Sequence, residues 1–304
     1  MVTDPSTGIK HAFVTGATGI VGVPLCQQLV EMGVRVTAFS RTAGDINLPE
    51  GVHHVLGDVL DESAIASAAE GADVVFHVAA AVHGSASTQA EFDRLNVGGT
   101  KNVIRLARDV GARLVHVSTV NVAGYRRGEL DDAYAASKSR AEDLVVDAVA
   151  KGLDAVVVRP ATVFGNQAGN AGMIVDRLLS GMLTILPAPS RRFSPVWSGD
   201  LAKALVRAGD VGDTGRTYTV AGPPMSTGEF VKSVAASAGV GGPKLSIPAW
   251  MFAVPLQLAW WGKSVTRWTP PVSVESLVHG SEHDGSQAAL DLGFTYTPLA
   301  EIFS

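Results

Sequence analysis

The eight residues TGATGIVG, at positions 15–22, stand between an apolar run, HAFV at 11–14, and a helical pattern, PLCQQLV. Gly16 allows a tight turn, Gly19 lets a diphosphate approach the backbone, and Gly22 permits the helix to pack closely on the strand. The N-terminus of a helix also favours negative charge. The stretch therefore predicts a dinucleotide site, although its TGxxGxxG spacing differs by one residue from the GxGxxG form.

Working outward from this turn, short β-branched runs alternate with longer helical patterns. The strand-like runs are HAFVTGA, VRVTAFS, ADVVFHVAA, RLVHVST and DAVVVRP. This alternation predicts right-handed βαβ units, and so an α/β fold with a Rossmann-type, doubly wound parallel sheet. We expect a dinucleotide-binding domain over 1–165. The looser region 166–304 is expected to form mainly a smaller C-terminal substrate lobe, with segments at about 190–222 returning to the core sheet.

The composition limits the class of protein. The chain has 304 residues, 46% of them hydrophobic, and a formal charge of −5 that is spread along the sequence. Nucleic-acid binding would need clustered basic residues, so a small-molecule partner is the expectation. The single cysteine, Cys26, cannot form an internal disulfide, which fits a reducing compartment. The polar start, MVTDPSTGIK, does not read as a signal peptide, and we expect a cytoplasmic protein.

The most apolar stretch is WMFAVPLQLAWW at 250–261. It is shorter than the roughly 20 residues that a membrane-spanning helix needs, and Pro255 and Gln257 interrupt it. We therefore expect no membrane span. Contact with a membrane surface and burial over a substrate cleft both remain open for this stretch.

The end of the second predicted strand bears on the choice of cofactor. An acid that binds the adenosine ribose is expected about 20 residues after the glycine turn, but VRVTAFS ends in Ser40 and Arg41. A guanidinium suits a 2′-phosphate through paired, charge-assisted hydrogen bonds. NADP is therefore the preferred cofactor, and the nearby Asp45 keeps NAD open.

A series of further motifs gives the chain a family resemblance. In order they are GDVLDESAI, FHVAAAV, LNVGGTKNV, VHVSTVNVAG, YAASKSRAE, VVVRPATVFG and, near the C-terminus, DGSQAALDLGF. Together with TGATGIVG, the chain resembles the extended branch of the short-chain dehydrogenase/reductase superfamily, also called the NAD-dependent epimerase/dehydratase superfamily. It looks most like the 3β-hydroxysteroid dehydrogenase-like and dihydroflavonol-reductase-like members.

The resemblance implies which residues hold the cofactor. Asp58 would contact the adenine, Ala79 to Ala81 would line the nicotinamide ribose, and the RPATVFG turn would lie along the nicotinamide. The full expected set is Gly16, Thr18, Gly19, Ile20, Gly22, Ser40, Arg41, Asp58, Val59, Ala79, Ala80, Ala81, Tyr134, Lys138, Pro160 and Val163. For Asp58, Asn96 and Arg159, a structural anchoring role is the alternative.

The family also implies a catalytic trio. Counting back from Gly124 in VHVSTVNVAG places Thr119, rather than its neighbour Ser118, at the position of the family's hydroxyl. Adjacent strand side chains point to opposite faces, so only one of the two can face a substrate. The other two members are Tyr134 and Lys138 of YAASK.

The spacing of Tyr134 and Lys138 suggests how the pair works. One helical turn separates them, so both side chains emerge on one face. An isolated phenol has a pKa of about 10, and we expect the lysine charge to lower it. The implied reaction is hydride transfer between the nicotinamide and a carbonyl carbon, with Tyr134 giving the proton and Thr119 holding the oxygen.

The substrate stays open at this stage. Trp250, Phe252, Trp260, Trp261 and Trp268 form an aromatic-rich segment that suits either a pocket for a bulky apolar ligand or the core of the second lobe. An apolar ketone or secondary alcohol is favoured. The alternative is a nucleotide-sugar epimerase or reductase, for which Arg191 and Arg192 are the candidate diphosphate contacts.

The sequence also bears on other classes of function. A catalytically silent NAD(P)-sensing or scaffold protein would be expected to lack the Tyr or the Lys, and this chain keeps both. His53, His54, His77, His83 and His116 show no metal-ligand spacing, so no metal is predicted, and His77 and His116 read as core or ribose-side residues. Dimers through paired helices are frequent in the superfamily, which makes a homodimer an expectation.

Overall fold

A computed structural model of the chain describes residues 7–42, 48–165, 169–248, 251 and 281–303. The chain divides into two compact units. The first unit comprises Met1–Ala161, Ser198–Val220 and Gly285–Thr295. The second comprises Thr162–Trp197, Ala221–Asp284 and Tyr296–Ser304.

The first unit is built on a parallel sheet, seven-stranded within the described residues. Its strands are β1 (His11–Thr15), β2 (Arg35–Ser40), β3 (His53–Leu56), β4 (Val74–His77), β5 (Arg113–Val117), β6 (Ala155–Pro160) and β11 (Thr217–Val220). They are ordered β11-β6-β5-β4-β1-β2-β3, and every neighbouring pair is parallel. The order reverses between β1 and β4, and open sheets of this kind bind ligands at such a switch point.

Helices cover both faces of this sheet. Its strands are therefore buried on both sides, which is why they read as continuous apolar runs in the sequence. The helices of the unit are α1 (Gly22–Glu31), α2 (Glu62–Ala68), α3 (Gln89–Phe92), a π-helical turn (Asp93–Gly98), α4 (Gly99–Val110), α5 (Asn121–Arg126), α6 (Ala133–Ala150), α8 (Ser198–Val211) and α10 (Ser286–Leu292). Helix α1 packs with α8, and α4 packs with α2 and α6. The prediction of a Rossmann-type, doubly wound sheet is confirmed.

The main core lies between the sheet and the α2, α4 and α6 layer. Phe13, Phe39, Val75 and Leu114, from four adjacent strands, are buried there against Val103 of α4. In each of these strands, a polar residue near the strand end lies two positions further along the chain. Alternate residues of a strand share a face. The polar side chains at the strand ends therefore lie next to an apolar core.

Two histidines at the strand ends belong to this buried face. The ring of His77 lies between the hydroxyls of Thr15 and Thr100, at 2.9 and 3.0 Å. His116 is its register partner on β5, and the ring centroids are 5.5 Å apart. Burial lowers the pKa of His77 to about 3 and that of His116 well below its ordinary value, and the Lys138 charge adds to both shifts. Both are therefore neutral core residues at physiological pH.

The second unit has short strands and its own apolar core. Its elements are β7 (Thr162–Phe164), α7 (Gly169–Leu179), β8 (Ile185–Pro187), β9 (Arg192–Phe193), β10 (Pro195–Trp197), β12 (Met225–Ser226), α9 (Thr227–Ser237), β13 (Leu245–Ile247) and α11 (Leu299–Ile302). The rings of Phe164 and Phe193 both pack edge-on against Phe230, at 5.1 and 5.4 Å. Trp250, Phe252, Trp260, Trp261 and Trp268 lie outside the described residues.

None of the helices in the described part of the chain combines the length and the apolar character that a bilayer crossing requires.

Candidate active site

The glycine turn joins β1 to α1 at the switch point of the sheet. Gly16 has a φ of +69° and donates its N–H to the Phe39 carbonyl, at 2.9 Å. A Cβ on Gly16 would lie 2.6 Å from the backbone nitrogen of Ala79, and one on Gly22 would lie 2.3 Å from the Gly16 oxygen. Backbone on all sides leaves no room for a side chain at either position.

The outer part of the turn has the form of a cradle for a diphosphate. Gly19 is exposed, and Thr18 and Ile20 beside it are half-buried. Helix α1 starts at Gly22 with no side-chain cap on its first turn. Val23 donates its N–H to the Gly19 carbonyl at 3.1 Å and Pro24 has no N–H, so the positive end of the helix dipole is what attracts an anion here. Backbone N–H groups and an absence of side chains are what a dinucleotide diphosphate needs, so these residues fit an NAD(P) cofactor.

The end of β2 separates two residues that the sequence grouped together. The Ser40 hydroxyl is buried within the chain, 2.8 Å from His54 Nε2 and 3.0 Å from the Thr42 carbonyl. Arg41, the next residue, is exposed. Asp45 lies outside the described residues. Arg41 is therefore the better placed of the two to meet a phosphate.

The loop after β3 is pinned to α4. Asp58 accepts the N–H of Leu60 at 3.0 Å, which turns the chain, and the Val59 carbonyl accepts a hydrogen bond from the side chain of Asn102 at 3.1 Å. A Cβ on Gly99 would lie 2.9 Å from the Val59 side chain. Asp58 and Val59 are both half-buried. Asp58 thus has an anchoring role in its own loop, beside any contact with adenine.

Asn96, in the π-helical turn, connects the loop after β4 to helix α6. It is 1% exposed, accepts the Ala81 N–H at 2.7 Å and donates to the Ala81 carbonyl at 3.1 Å. It also donates to the Ser137 hydroxyl at 2.9 Å, which donates to the Tyr134 carbonyl at 2.7 Å. These contacts give Asn96 a structural role. Ser137 was not identified from the sequence, where it is only a spacer in YAASK.

Ala79 and Ala80 complete that loop. Ala79 donates its N–H to the Thr15 hydroxyl at 3.3 Å and lies against Gly16, whereas Ala80 is exposed. The backbone of Ala79 is therefore fixed by β1 and the glycine turn.

Lys138 anchors the first turns of α6 on the end of β5. The residue is 2% exposed, and its ammonium donates to the Val117 carbonyl at 2.7 Å. Burial lowers the pKa of Lys138 to about 8, and the nearby Glu142 carboxylate opposes that shift. Glu142 itself is buried and accepts hydrogen bonds from two nitrogens of Arg159, Nε at 2.8 Å and Nη2 at 2.6 Å. Arg159 thus has a structural anchoring role.

The two hydroxyls that follow β5 have different surroundings. Thr119 is 8% exposed, and its Oγ1 accepts the Asn121 N–H at 3.3 Å. The Ser118 Oγ is fully buried and has no hydrogen-bond partner among the described residues. Both residues lie beyond Val117, the last residue of β5.

Tyr134 stands in the first turn of α6, which Asp132 caps by accepting the Ala135 N–H at 2.9 Å. Burial raises the pKa of Tyr134 to about 12, and the Asp132 charge adds to the rise. The expectation that Lys138 lowers this pKa is wrong for the chain on its own, because the ammonium is directed to the Val117 carbonyl. The phenol is consequently protonated at neutral pH.

Three further candidate residues have contacts of their own. Pro160 ends β6, and its carbonyl accepts the Val120 N–H at 3.1 Å. Val163 is in β7 of the second unit, paired with Val196. Arg192, also in the second unit, is committed to Glu282 at 2.8 Å and to the Pro224 carbonyl at 3.2 Å.

Arg191 differs from its neighbour. Its Nε is buried with no hydrogen-bond partner in the part of the chain that the structure describes, and burial lowers the pKa of its guanidinium. Its carbonyl accepts from both the N–H and the hydroxyl of Thr227, at 2.8 and 3.1 Å.

Comparison with known proteins places this geometry in context. The model of the "NAD dependent epimerase/dehydratase family" matches residues 12–221. Sterol demethylase protein B of Methylococcus capsulatus is 27% identical, over 96% of this chain and 95% of the relative. A 2-alkyl-3-oxoalkanoate reductase of Stenotrophomonas maltophilia is 30% identical, over 74% of this chain and 75% of the relative.

A solved structure shows the same fold. UDP-glucose 4-epimerase of Thermotoga maritima superimposes with a TM-score of 0.77, covering 96% of each chain at 19% identity. At this identity the likeness concerns the fold alone.

The glycine turn gives a direct test of the dinucleotide site. Gly22→Ala should weaken NADPH binding by at least tenfold, because its Cβ would force the Gly16 carbonyl away and widen the cradle. Fluorescence titration of NADPH measures this. Gly124→Ala is the matched control, since a Cβ there would have only an ordinary 3.6 Å contact with Leu130. Equal affinity in both variants would contradict the assignment.

Proposed function

Because the chain belongs to the NAD-dependent epimerase/dehydratase family, we propose that it reduces a carbonyl group of a bulky apolar molecule with NADPH. The family match bears out the predicted membership of the extended short-chain dehydrogenase/reductases and the prediction of an enzyme. At the coarser level the chain is an NAD(P)-dependent oxidoreductase. The carbonyl substrate, its apolar character and the preference for NADP are the proposal.

The observation that carries the proposal is the setting of Tyr134. Its backbone is tied through Ser137 and Asn96 to the loop after β4, and Lys138 one turn later is tied to the end of β5. These contacts bring a phenol, an ammonium and the strand that leads to Thr119 to the same end of the sheet. Positioning of this kind is a large part of what an enzyme contributes to a proton-coupled reduction.

In the proposed reaction the bound cofactor supplies hydride to the carbonyl carbon. Tyr134 gives its phenolic proton to the carbonyl oxygen, and Thr119 fixes that oxygen with a hydrogen bond from its hydroxyl. Because burial and Asp132 keep the phenol protonated at neutral pH, Tyr134 is prepared as a proton donor. That favours reduction over oxidation as the working direction.

Lys138 has two roles in this scheme. Its ammonium holds α6 in place in the chain on its own, and by family resemblance it also binds the nicotinamide ribose. Its pKa of about 8 lets it keep its charge at neutral pH.

The apolar character of the substrate rests on relatives' names and on sequence. One relative is named for sterol demethylation and another for reducing 2-alkyl-3-oxoalkanoates, and both names point to molecules with a large hydrocarbon part. The tryptophan-rich segment at 250–268 suits the same class of ligand. A panel of 3-oxosteroids and 2-alkyl-3-oxoalkanoates with NADPH is therefore the first substrate test.

A nucleotide-sugar substrate is the second candidate, favoured by Arg191. Its buried Nε has no partner among the described residues, and a diphosphate would satisfy it. Saturable binding of UDP-glucose that Arg191→Leu abolishes, with no turnover of the apolar panel, would reverse the ranking. A silent sensor or scaffold would bind NADPH and turn over neither class of substrate.

Tyr134→Phe should lower turnover by about 10² to 10⁴-fold, the usual contribution of a positioned proton donor. NADPH affinity should stay close to that of the parent chain, because the ring and its packing remain. Steady-state absorbance kinetics and NADPH titration measure the two quantities. Turnover near that of the parent chain would refute the role of the phenol.

Thr119→Val should lower turnover by about 10² to 10³-fold, because it removes a donor that meets the developing oxyanion while keeping the side-chain shape. Ser118→Ala is the matched control and should keep most of the activity. The reverse order of the two variants would show that Ser118 is the family's hydroxyl.

Arg41→Ala should raise the KM for NADPH by about 10- to 100-fold and leave that for NADH almost unchanged, as expected for lost hydrogen bonds to a charged group. Arg94→Ala, which removes another exposed arginine, is the control. An equal effect on both cofactors would argue against a 2′-phosphate contact.

A further inference from the structure

An aromatic cluster surrounds the Tyr134 ring. It consists of His83, in the loop after β4, Phe92 of α3 and Tyr134 itself. The His83 and Tyr134 ring centroids are 5.5 Å apart and nearly edge-on at 61°, and His83 lies 5.8 Å from Phe92 at 73°. Phe92 and Tyr134 are 6.0 Å apart. His83 is therefore in direct contact with the proposed proton donor.

Asp132 holds His83 in this position. One carboxylate oxygen lies 3.2 Å from His83 Nε2, and the other accepts the Ala135 N–H at 2.9 Å as the cap of α6. The carboxylate thus links the exposed histidine to the helix turn that carries Tyr134. The His83 side chain is 68% exposed and that of Asp132 only 17%. The pair therefore extends from the solvent toward the Tyr134 ring.

The loop that carries His83 has its own fixed geometry. The Val82 N–H donates to the Ser85 hydroxyl at 2.9 Å, and the Ser85 N–H donates to the Val82 carbonyl at 2.9 Å. His83 and Ala86 form an isolated bridge. Together with the Asp132 contact, these bonds define where the imidazole lies.

We propose that His83 and Asp132 are positioning residues for Tyr134, and that protonation of His83 sets the charge beside the phenol. The inference rests on the proposed function, in which Tyr134 is the proton donor. Neither residue belongs to the Thr119, Tyr134 and Lys138 trio. Together they give the reaction a connection to the pH of the solvent that the trio alone does not have.

The direction of the effect follows from the charges. Burial is the larger cause of the raised pKa of Tyr134, and the Asp132 charge adds to it by opposing ionisation of the phenol. A protonated imidazole on the same carboxylate offsets that negative charge and favours release of the proton. Histidine ordinarily changes charge between about pH 5 and 8. When His83 is neutral, the charge of Asp132 is not compensated, and Tyr134 is a weaker acid.

The other charged groups around the cluster are already engaged. On α3, Glu91 accepts the N–H groups of Ser87 and Thr88, at 2.8 and 3.1 Å. Asp93, at the start of the π-helical turn, pairs with Arg140 of α6 at 2.5 Å.

Farther along α6, Lys138 donates to the Val117 carbonyl and Glu142 is bound by Arg159. Within the described residues, Asp132 is the charged group at ion-pair distance from His83.

The test observes Tyr134 without a substrate. The chain has four tyrosines, so protein labelled with [ζ-13C]tyrosine gives four ring signals, and Tyr134→Phe identifies the one of interest. In the parent chain the Tyr134 signal should shift in a single step between about pH 5 and 8, where no phenol titrates, because the neighbouring imidazole changes charge.

Three variants separate charge from structure. His83→Phe keeps an aromatic ring in the cluster and should abolish the step. Asp132→Asn keeps the helix cap, since Asn caps as well as Asp, and should diminish the step because His83 loses its anchor. Asp131→Asn removes an exposed neighbouring carboxylate and should leave the step intact. Circular dichroism melting checks that each variant is folded.

Turnover tests the positioning role itself. With NADPH and a turned-over member of the ketone panel, His83→Phe should flatten the pH dependence of kcat between about pH 5 and 8, whereas Asp131→Asn should retain it. An absent step in the parent chain, a step that persists in His83→Phe, or an unchanged kcat profile in His83→Phe would each overturn the inference.

Failure of the two proposals can be told apart. An inactive Tyr134→Phe together with an unchanged His83→Phe profile overturns the role of His83 alone. A fully active Tyr134→Phe overturns the proposed function, and the positioning role with it.

Discussion

The site depends on a buried cation that a main-chain carbonyl holds. Placing the Lys138 ammonium in the interior is costly, as its lowered pKa shows, and the Val117 carbonyl and the Glu142 charge offset that cost. The hydrogen bond ties α6 to the end of β5, so the turn that carries Tyr134 and the strand that leads to Thr119 share one rigid frame. Arg159 holds the Glu142 carboxylate in place and so contributes indirectly to the position of Lys138.

A second constraint is steric. Gly16, Gly22 and Ala79 bring three backbone segments together at the reversal of the strand order, at distances that a Cβ would not allow. The same loop is then held by Asn96, which also reaches α6 through Ser137. The glycine turn and the helix turn that carries Tyr134 are consequently connected by a continuous set of backbone contacts and side-chain hydrogen bonds.

Much of this was predictable because local patterns reflect local physics. The β-branched runs before Gly16 and Thr119 became β1 and β5, and Gly33, with a φ of +77°, follows α1 as a left-handed stop. What required coordinates is tertiary. The Ser40 hydroxyl turned inward to His54, and the Lys138 ammonium turned to a carbonyl instead of acting on the phenol. His83 had no helical or strand spacing to Tyr134, so only the fold could bring the two rings together.

The central claim is that Tyr134 and Thr119 act on one oxygen atom. A crystal structure of the chain with NADP and a bound ketone measures this most directly. The account predicts that Tyr134 Oη and Thr119 Oγ1 both lie within hydrogen-bond reach, about 2.6 to 3.2 Å, of the ketone oxygen. Placement of the two hydroxyls in separate cavities, or of Ser118 Oγ in place of Thr119 Oγ1, would contradict it.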